Sequence, residues 1–200
     1  MRKRYFFFDI DGTLAAGPIM GRYIPESTKR ALEILESEGH FLAICTGRLH
    51  AMGEGFMHEL GFRNMVADGG NSLTLNGEFL GIKPLDTQAC IDVIEECERL
   101  GVVWAISFDD SRRRWTRYAN YDALVHDSYM ETVVDPELDY RSIECFYKVY
   151  VICSPEEEAR IASLSKVPTA RFSPYAVFVE PVDKGEGIKR CMARFGAPIE

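Results

Sequence analysis

The chain has 200 residues, of which 46% are hydrophobic and 27% charged, as in folded globular proteins of one or two domains. Its formal net charge of −8 argues against a nucleic-acid partner, which would require a basic surface. No apolar run is long enough to cross a membrane, so no membrane partner is predicted. The apolar stretch Tyr5–Phe8 is too short for a signal peptide, and we expect a cytoplasmic protein.

Six cysteines raise the question of disulfides or a zinc site. Their spacings match no zinc-binding pattern, and nothing in the sequence indicates secretion. Cys90 and Cys97 are one heptad apart on the apolar face of a predicted helix, as small core residues are. We therefore predict structural thiols at Cys45, Cys90, Cys97, Cys145, Cys153 and Cys191.

The first third of the chain alternates between short apolar runs and segments with helical periodicity. This alternation predicts a parallel sheet covered by helices, and the all-apolar run Tyr5–Phe8 predicts a strand buried on both faces. The predicted elements are strand Tyr5–Phe8, a helix that Pro25 opens and Gly39 ends, strand Phe41–Cys45, helix Met52–Leu60 and strand Met65–Ala67.

The pattern changes at Asn76-Gly77, which favours the type I′ turn of a β-hairpin. We interpret residues 82–180 as an inserted α+β domain, and residues 1–81 with 181–200 as one α/β core. The predicted elements of the inserted domain are a helix from Asp86 to Gly101, strands Val102–Phe108, Arg113–Arg117, Phe146–Cys153 and Ala176–Glu180, and a helix that starts at the capping box Ser154–Glu157. The core ends with a predicted helix Lys184–Phe195.

The string Asp9-Ile-Asp-Gly-Thr13 follows the first predicted strand, at the sheet edge where ligands bind in open α/β folds. Alternation along the backbone directs Asp9 and Asp11 to one side and Ile10 to the core. Two carboxylates at about 4 Å repel by about 4 kcal/mol at an effective dielectric of about 20. A hard cation such as Mg²⁺ relieves this repulsion, so we predict a metal site; an inert acidic turn is the alternative.

Two further strings suggest anion binding. The second predicted strand ends in Thr46-Gly47-Arg48, where a hydroxyl and backbone N–H groups can bind phosphate oxygens; a helix cap without a ligand is the alternative. Lys184 opens the last predicted helix, which is an unfavourable place for a cation because helix N-termini carry partial positive charge. This placement indicates an anion near Lys184, with an ordinary solvated lysine as the alternative.

In this order, the three strings resemble the motifs of the haloacid dehalogenase superfamily. Asp9–Thr13 resembles the first motif, Thr46 the threonine of the second and Lys184 the lysine of the third. The long segment between the second and third motifs resembles the large α/β cap of the Cof-type branch. The resemblance implies an α/β fold, with a Rossmannoid parallel sheet core and an inserted α+β cap domain.

The resemblance also implies a Mg²⁺-dependent phosphatase that acts on a small phosphorylated metabolite, such as a sugar phosphate, through an aspartyl-phosphate. Asp9 is implied to be the nucleophile, and Asp11 to protonate the leaving oxygen and then activate water. Thr46 is implied to orient the phosphoryl group and Lys184 to neutralise it. Mg²⁺ is implied to bind the Asp9 carboxylate and the Asp11 backbone carbonyl. The predicted substrate-binding residues are Thr46, Gly47, Arg48 and Asn71.

Two departures from the family pattern have consequences. Asp68-Gly-Gly-Asn71 stands where family members often have Asn-Gly, so we expect Asp68 or Asn71 to contact the substrate differently. The acidic fourth motif, which completes the metal site, does not occur before Glu200. We expect the natural protein to continue into this motif. In the chain as given, we expect Tyr5–Phe8 to be a sheet edge, Mg²⁺ binding to be weak and turnover to be low.

Two alternatives stay open: a phosphosugar mutase, which shares the first motif and a similar cap, and a non-catalytic binding protein on the same fold. The inserted domain also contains cationic and aromatic residues that could touch a sugar or a second phosphate. We interpret them instead as a solvated, charged edge strand. These residues are Arg112, Arg113, Arg114, Trp115, Arg117 and His126.

Overall fold

The computed structural model describes residues 2–18, 21–127 and 129–197. The chain divides into two compact units: unit 1 is Met1–Ile82 with Asp183–Glu200, and unit 2 is Lys83–Val182. Residues 198–200, at the end of the predicted core, lie outside the described residues. None of the described helices is both long and apolar enough to span a membrane.

Within the described residues, the chain forms eleven strands and six α-helices. The strands are β1 Tyr5–Phe8, β2 Phe41–Cys45, β3 Met65–Ala67, β4 Ser72–Leu75, β5 Glu78–Ile82, β6 Val103–Ser107, β7 Arg113–Thr116, β8 Glu131–Val134, β9 Lys148–Ile152, β10 Thr169–Ser173 and β11 Ala176–Val179. The helices are α1 Glu26–Ser37, α2 His50–Glu59, α3 Thr87–Leu100, α4 Tyr121–Val125, α5 Pro155–Glu158 and α6 Lys184–Arg194.

Unit 1 is built on one five-stranded sheet in the order β1-β2-β3-β4-β5. Strands β1, β2 and β3 pair in parallel, and β3, β4 and β5 pair antiparallel. Asn76 and Gly77 turn the β4–β5 hairpin with φ angles of 54° and 85°, as a type I′ turn requires. The predicted parallel sheet and the hairpin are therefore confirmed.

The sheet of unit 1 packs between two helical layers, since apolar side chains cover both of its faces. On one face, Ile44 and Met65 pack with Leu32 of α1 and Met57 of α2. On the other face, apolar sheet residues pack with Cys191 of α6. Helix α6 therefore packs on the face of the sheet opposite α1 and α2. Its first turn brings Lys184 to the carboxyl end of the parallel strands.

Strand β1 differs from its prediction in burial. The run Tyr5–Phe8 was expected to be buried on both faces, but all four residues are only partly buried. Among the described residues, β1 pairs with β2 alone and so forms the edge of the sheet, as expected for the chain as given. An edge strand lacks the neighbour that would bury its second side.

Unit 2 contains a six-stranded sheet in the order β10-β11-β9-β6-β7-β8. Its pairs are antiparallel except for β7 and β8, which are parallel. Helix α3 covers one face with Cys90 and Cys97, which are fully buried, and burial raises the pKa of each thiol to about 12. Both cysteines are core thiols, as predicted, and all six cysteines of the chain are free.

The interpretation of β7 as a solvated edge strand was wrong. Strand β7 lies between β6 and β8, and Arg114 is fully buried. Its guanidinium donates to both carboxylate oxygens of Asp127, at 2.9 and 2.8 Å, and to the Thr132 hydroxyl at 2.8 Å. A charged arginine tolerates burial here because a buried carboxylate pairs with it. Sequence patterns did not predict β8, β10 or α4, which are short and partly polar.

Candidate functional site

The Asp9–Thr13 string forms a tight turn directly after β1. The Leu14 amide donates to the Asp9 carbonyl at 3.2 Å, the Ala15 amide donates to the Ile10 carbonyl at 2.8 Å, and Gly12 has a φ of 78°. Ile10 is fully buried, while the side chains of Asp9 and Asp11 are 39% and 35% exposed. The turn therefore presents two carboxylates to solvent at the carboxyl edge of the sheet.

Asp9 and Lys184 form an ion pair in which Lys184 Nζ lies 3.1 Å from Asp9 Oδ1. The same oxygen accepts a hydrogen bond from the Ile10 amide at 2.9 Å, which fixes the carboxylate. Lys184 is the first residue of α6, and the Asp183 side chain caps this helix by accepting from the Glu186 amide at 2.8 Å. A lysine at the start of a helix is unfavourable because this end of the helix dipole is positive. The negative charges of Asp9 and Asp183 near Lys184 offset this effect.

Asp11 is bound by two arginines. Arg48 donates from Nε to Oδ2 at 2.8 Å and from Nη2 to Oδ1 at 2.7 Å, and Arg22 Nε lies 3.0 Å from Oδ1. The hydrogen bonds from Arg48 lower the pKa of the Asp11 carboxyl below its usual value; partial burial opposes this effect, and the charges of Arg48 and Arg22 add to it. The arrangement holds Asp11 as a carboxylate at neutral pH.

Sequence reasoning missed Arg22. This residue follows the Asp9–Thr13 turn in a loop whose ends are joined by two hydrogen bonds between Ala16 and Tyr23, at 2.9 and 3.1 Å. Arg22 also donates to the Gly17 carbonyl, so the loop itself directs the side chain toward Asp11. Its segment has neither helical nor strand periodicity, and the one available signal was a cation close in sequence to two aspartates.

Thr46 directly follows β2 and is almost fully buried, with 1% of its surface exposed. Its hydroxyl accepts a hydrogen bond from the Arg48 amide at 3.1 Å. Helix α2 starts at His50, two residues before the predicted start at Met52. Thr46 and Gly47 belong to a short loop that sets Arg48 beside Asp11.

The segment Asp68–Asn71 follows β3 as a 3₁₀ turn. Asp68 is 3% exposed and its carboxylate accepts from the His50 amide at 3.1 Å, so this side chain points into unit 1. The Asp68 carboxylate therefore serves the backbone at the start of α2, and the expectation that Asp68 or Asn71 contacts a substrate stays a prediction. Asn71, the predicted substrate-binding residue, is partly exposed at the end of the turn.

Cys45 lies at the end of β2, close enough to Asp9 and Lys184 for their charges to act on it. Burial nevertheless raises the pKa of this thiol to about 11, with the Asp9 charge adding and the Lys184 charge opposing. A thiol with such a pKa is protonated at neutral pH and is a poor nucleophile. The Asp9 carboxylate, by contrast, is 39% exposed and so is accessible from solvent.

The site carries three cations, Arg22, Arg48 and Lys184, around the carboxylates of Asp9 and Asp11. Their guanidinium and ammonium groups are donors that can bind a phosphoryl dianion. Within the described ranges, no three His, Cys, Asp or Glu side chains cluster as metal ligands. The partly exposed carboxylate of Asp9 still fits Mg²⁺, which proteins often hold through one or two carboxylates together with water and substrate phosphate.

Comparisons with known proteins agree with this geometry. A family model described as haloacid dehalogenase-like hydrolase matches residues 6–200. YkrA of Bacillus subtilis (strain 168), a protein classed as a phosphatase, is 23% identical over 203 residues, which cover 97% of this chain and 75% of YkrA.

Two solved structures share the fold. A protein of Geobacillus kaustophilus HTA426 is 26% identical with a TM-score of 0.79, and the match covers 99% of this chain and 77% of that one. The sugar phosphatase BT4131, of subclass IIB of the haloacid dehalogenase superfamily, is 21% identical with a TM-score of 0.72. The match covers 98% of this chain and 77% of that one. The predicted fold class, an α/β core with an inserted α+β module, is confirmed.

Proposed function

The chain belongs to the haloacid dehalogenase-like hydrolases, and on this premise we propose that it is a Mg²⁺-dependent phosphomonoester hydrolase with Asp9 as its nucleophile. The observation that carries the proposal is the ion pair between Asp9 and Lys184, in a site with three cations and two carboxylates. Positive charge there supports binding of a phosphoryl group within reach of the Asp9 carboxylate. We also propose that unit 2 is the cap that selects the substrate.

In the proposed reaction, a carboxylate oxygen of Asp9 attacks phosphorus, and the bond from phosphorus to the leaving oxygen breaks. This yields an aspartyl-phosphate and an alcohol whose oxygen takes its proton from Asp11. Lys184 neutralises both Asp9 and the phosphoryl oxygens during the approach. Mg²⁺, held by the Asp9 carboxylate and the Asp11 backbone carbonyl, would supply further charge neutralisation.

Asp11 can act as an acid only after its arginine contacts loosen, because Arg48 and Arg22 stabilise its carboxylate. Substrate phosphoryl oxygens offer these guanidiniums a competing anion. Transfer of Arg48 from Asp11 to the substrate would couple substrate binding to protonation of Asp11. In the second step, Asp11 takes a proton from water, the water oxygen attacks phosphorus, and Asp9 is released with inorganic phosphate.

We propose a small phosphorylated metabolite as the substrate, and a sugar phosphate within that class. The likeness to a sugar phosphatase supports this choice, and the net charge of −8 argues against a nucleic-acid substrate. Release of inorganic phosphate from a panel of sugar phosphates, nucleotides and cofactor phosphates, with Mg²⁺ or with EDTA, tests the proposal. Phosphate transfer to a second sugar would indicate a mutase, and phosphate binding without release would indicate a binding protein; either result would overturn the proposal.

Replacing Asp11 by asparagine is expected to slow turnover by about 10²–10⁴-fold, which is the usual contribution of general acid–base catalysis. The amide keeps an oxygen for Arg48 but cannot donate a proton to the leaving group. Initial rates with a good leaving group, such as p-nitrophenol, should fall less than rates with an alkyl phosphate. An equal loss with both substrates would contradict the acid role of Asp11.

Replacing Lys184 by alanine is expected to lower turnover by about 10²–10³-fold, as loss of one charge-stabilising donor does in other enzymes. Lys189→Ala, on the same helix, is the matched control, because Lys189 is 64% exposed and pairs only loosely with Glu186 at 3.7 Å. Comparing the steady-state rates of the two variants distinguishes the effect of losing the site lysine from that of losing any lysine of the helix. Similar rates for both would argue against a role for Lys184.

A further inference from the structure

The turn Asp68–Gly70 has an unusual backbone. Its three residues have φ angles of 50°, 60° and 115°, so all three lie in the region that L-residues rarely adopt. Asp68 is the notable member, since a side chain makes this conformation unfavourable and the surrounding structure must hold it. The residue is also almost fully buried, at 3% exposure.

On one side, the turn is bonded to the loop that contains Thr46 and Arg48. The Asp68 amide donates to the Arg48 carbonyl at 2.8 Å, and the Gly69 amide donates to the Thr46 carbonyl at 3.3 Å. The Asp68 carboxylate accepts from the His50 amide at 3.1 Å, at the start of α2. Three hydrogen bonds therefore fix the loop at both of its ends.

On the other side, the turn touches the first turns of α6. A Cβ on Gly70 would overlap the Asp183 carbonyl oxygen and lie 3.4 Å from the Cα of Lys184. A Cβ on Gly187 would lie 2.7 Å from the Cα of Gly70, so the two backbones meet without side chains between them. Arg190 Nη1 also donates to the Gly70 carbonyl at 3.1 Å.

We propose that the turn Asp68–Gly70 is the positioning element that sets Lys184 relative to Thr46 and Arg48. The two halves of the site come from distant parts of the chain, and this turn contacts the backbone of both. Asp68 and Gly70 act through these neighbours rather than on a substrate. The inference rests on the proposed phosphatase function, which has its own test in Asp9→Asn.

Gly70→Ala is the first test, because its methyl group must push away Asp183 and, with it, Lys184. Turnover is expected to fall by about 10²-fold, which is the effect of a misplacement of about 1 Å in a catalytic group. Gly61→Ala is the matched control: Gly61 also has a positive φ, of 70°, but no atom lies within 4 Å of its added Cβ. The control has the unfavourable φ without the overlap and should keep its turnover. Equal kcat in Gly70→Ala and Gly61→Ala would overturn the proposal.

Asp68 provides a second test that does not depend on a steric clash. Asparagine tolerates positive φ and keeps an oxygen for the His50 amide, whereas alanine does neither. Asp68→Ala should therefore lower kcat, and Asp68→Asn should restore most of it at a similar KM. Loss of kcat in both variants alike, or in neither, would contradict a positioning role.

Affinity for inorganic phosphate, measured by calorimetry on the same proteins, gives an answer that is independent of turnover. Gly70→Ala should bind phosphate about tenfold more weakly than Gly61→Ala, as expected when a charged donor is displaced from its anion. Equal affinities would overturn the inference even in a chain that hydrolyses nothing. Absence of turnover in the unsubstituted chain, with the affinity difference present, would reject the phosphatase and keep the positioning role.

Discussion

Replacing Asp9 by asparagine is expected to abolish phosphate release, with a loss of about 10⁴-fold or more, as for removal of other enzymatic nucleophiles. An amide oxygen neither attacks phosphorus effectively nor carries the charge that pairs with Lys184 at 3.1 Å. A coupled phosphate assay with Mg²⁺ measures the rate. Acid quenching with labelled substrate tests separately whether a phosphoenzyme forms.

Asp92→Asn is a suitable control for this change, because Asp92 lies on the exposed surface of α3 and accepts one hydrogen bond from Gln88, which an amide oxygen can also accept. The control should keep full activity and form the labelled phosphoenzyme. Undiminished release by Asp9→Asn would reject the proposed mechanism, whatever the result for the other site residues.

Replacing Asp127 by alanine should lower the free energy of unfolding of unit 2 by about 3 kcal/mol, the lower end of the usual cost of breaking a buried ion pair, because the exposed Asp122 stays near Arg114 at 3.4 Å. Arg114 is fully buried and the Asp127 side chain is only 7% exposed, so water cannot replace the lost carboxylate. Both tryptophans of the chain, Trp104 and Trp115, lie in unit 2. Their fluorescence during urea denaturation therefore follows this unit alone.

The exposed pair between Arg113 and Asp109 is the control for that prediction. Its atoms are 3.3 Å apart, and the side chains are 43% and 34% exposed. Asp109→Ala should cost less than about 1 kcal/mol, because water screens an exposed ion pair. If both alanine variants unfolded at the same urea concentration, the buried pair would not be the stabilising contact that its geometry indicates.

The sequence predicted the order of elements in unit 1 because each element carries its own local pattern. Phe41–Cys45 and Met65–Ala67 are short apolar runs, which predict buried strands. Asn76 and Gly77 predict the β4–β5 turn because both residues readily adopt positive φ angles. The missed strands β8 and β10 have no such pattern. They are strands because their neighbours in the sheet offer hydrogen bonds, which depends on pairing across the unit.

The same distinction applies to the site. The family predicted from the three motifs is confirmed by the match over residues 6–200, and Asp9 and Lys184 were both proposed from local strings. The contact of Arg48 with Asp11, the role of Arg22 and the inward turn of Asp68 were not foreseen. Each depends on segments that meet only in the folded chain, as does the burial of Arg114.

The insertion of unit 2 within unit 1 determines when the site can form during folding. Asp9 and Lys184 stand near opposite ends of the chain, and closing so long a loop in a disordered polypeptide is entropically unfavourable. Hydrogen bonds inside unit 2 hold both of its ends, from the Leu85 amide to Phe146 and from the Glu180 amide to Pro168. In unit 1, Ile82 pairs with Ser72 and Asp183 lies against Gly70, so unit 2 leaves and re-enters unit 1 at neighbouring points. A folded unit 2 therefore replaces a long disordered loop by a short span. Substitutions that slow the folding of unit 2 should therefore delay the assembly of the site without touching any of its residues.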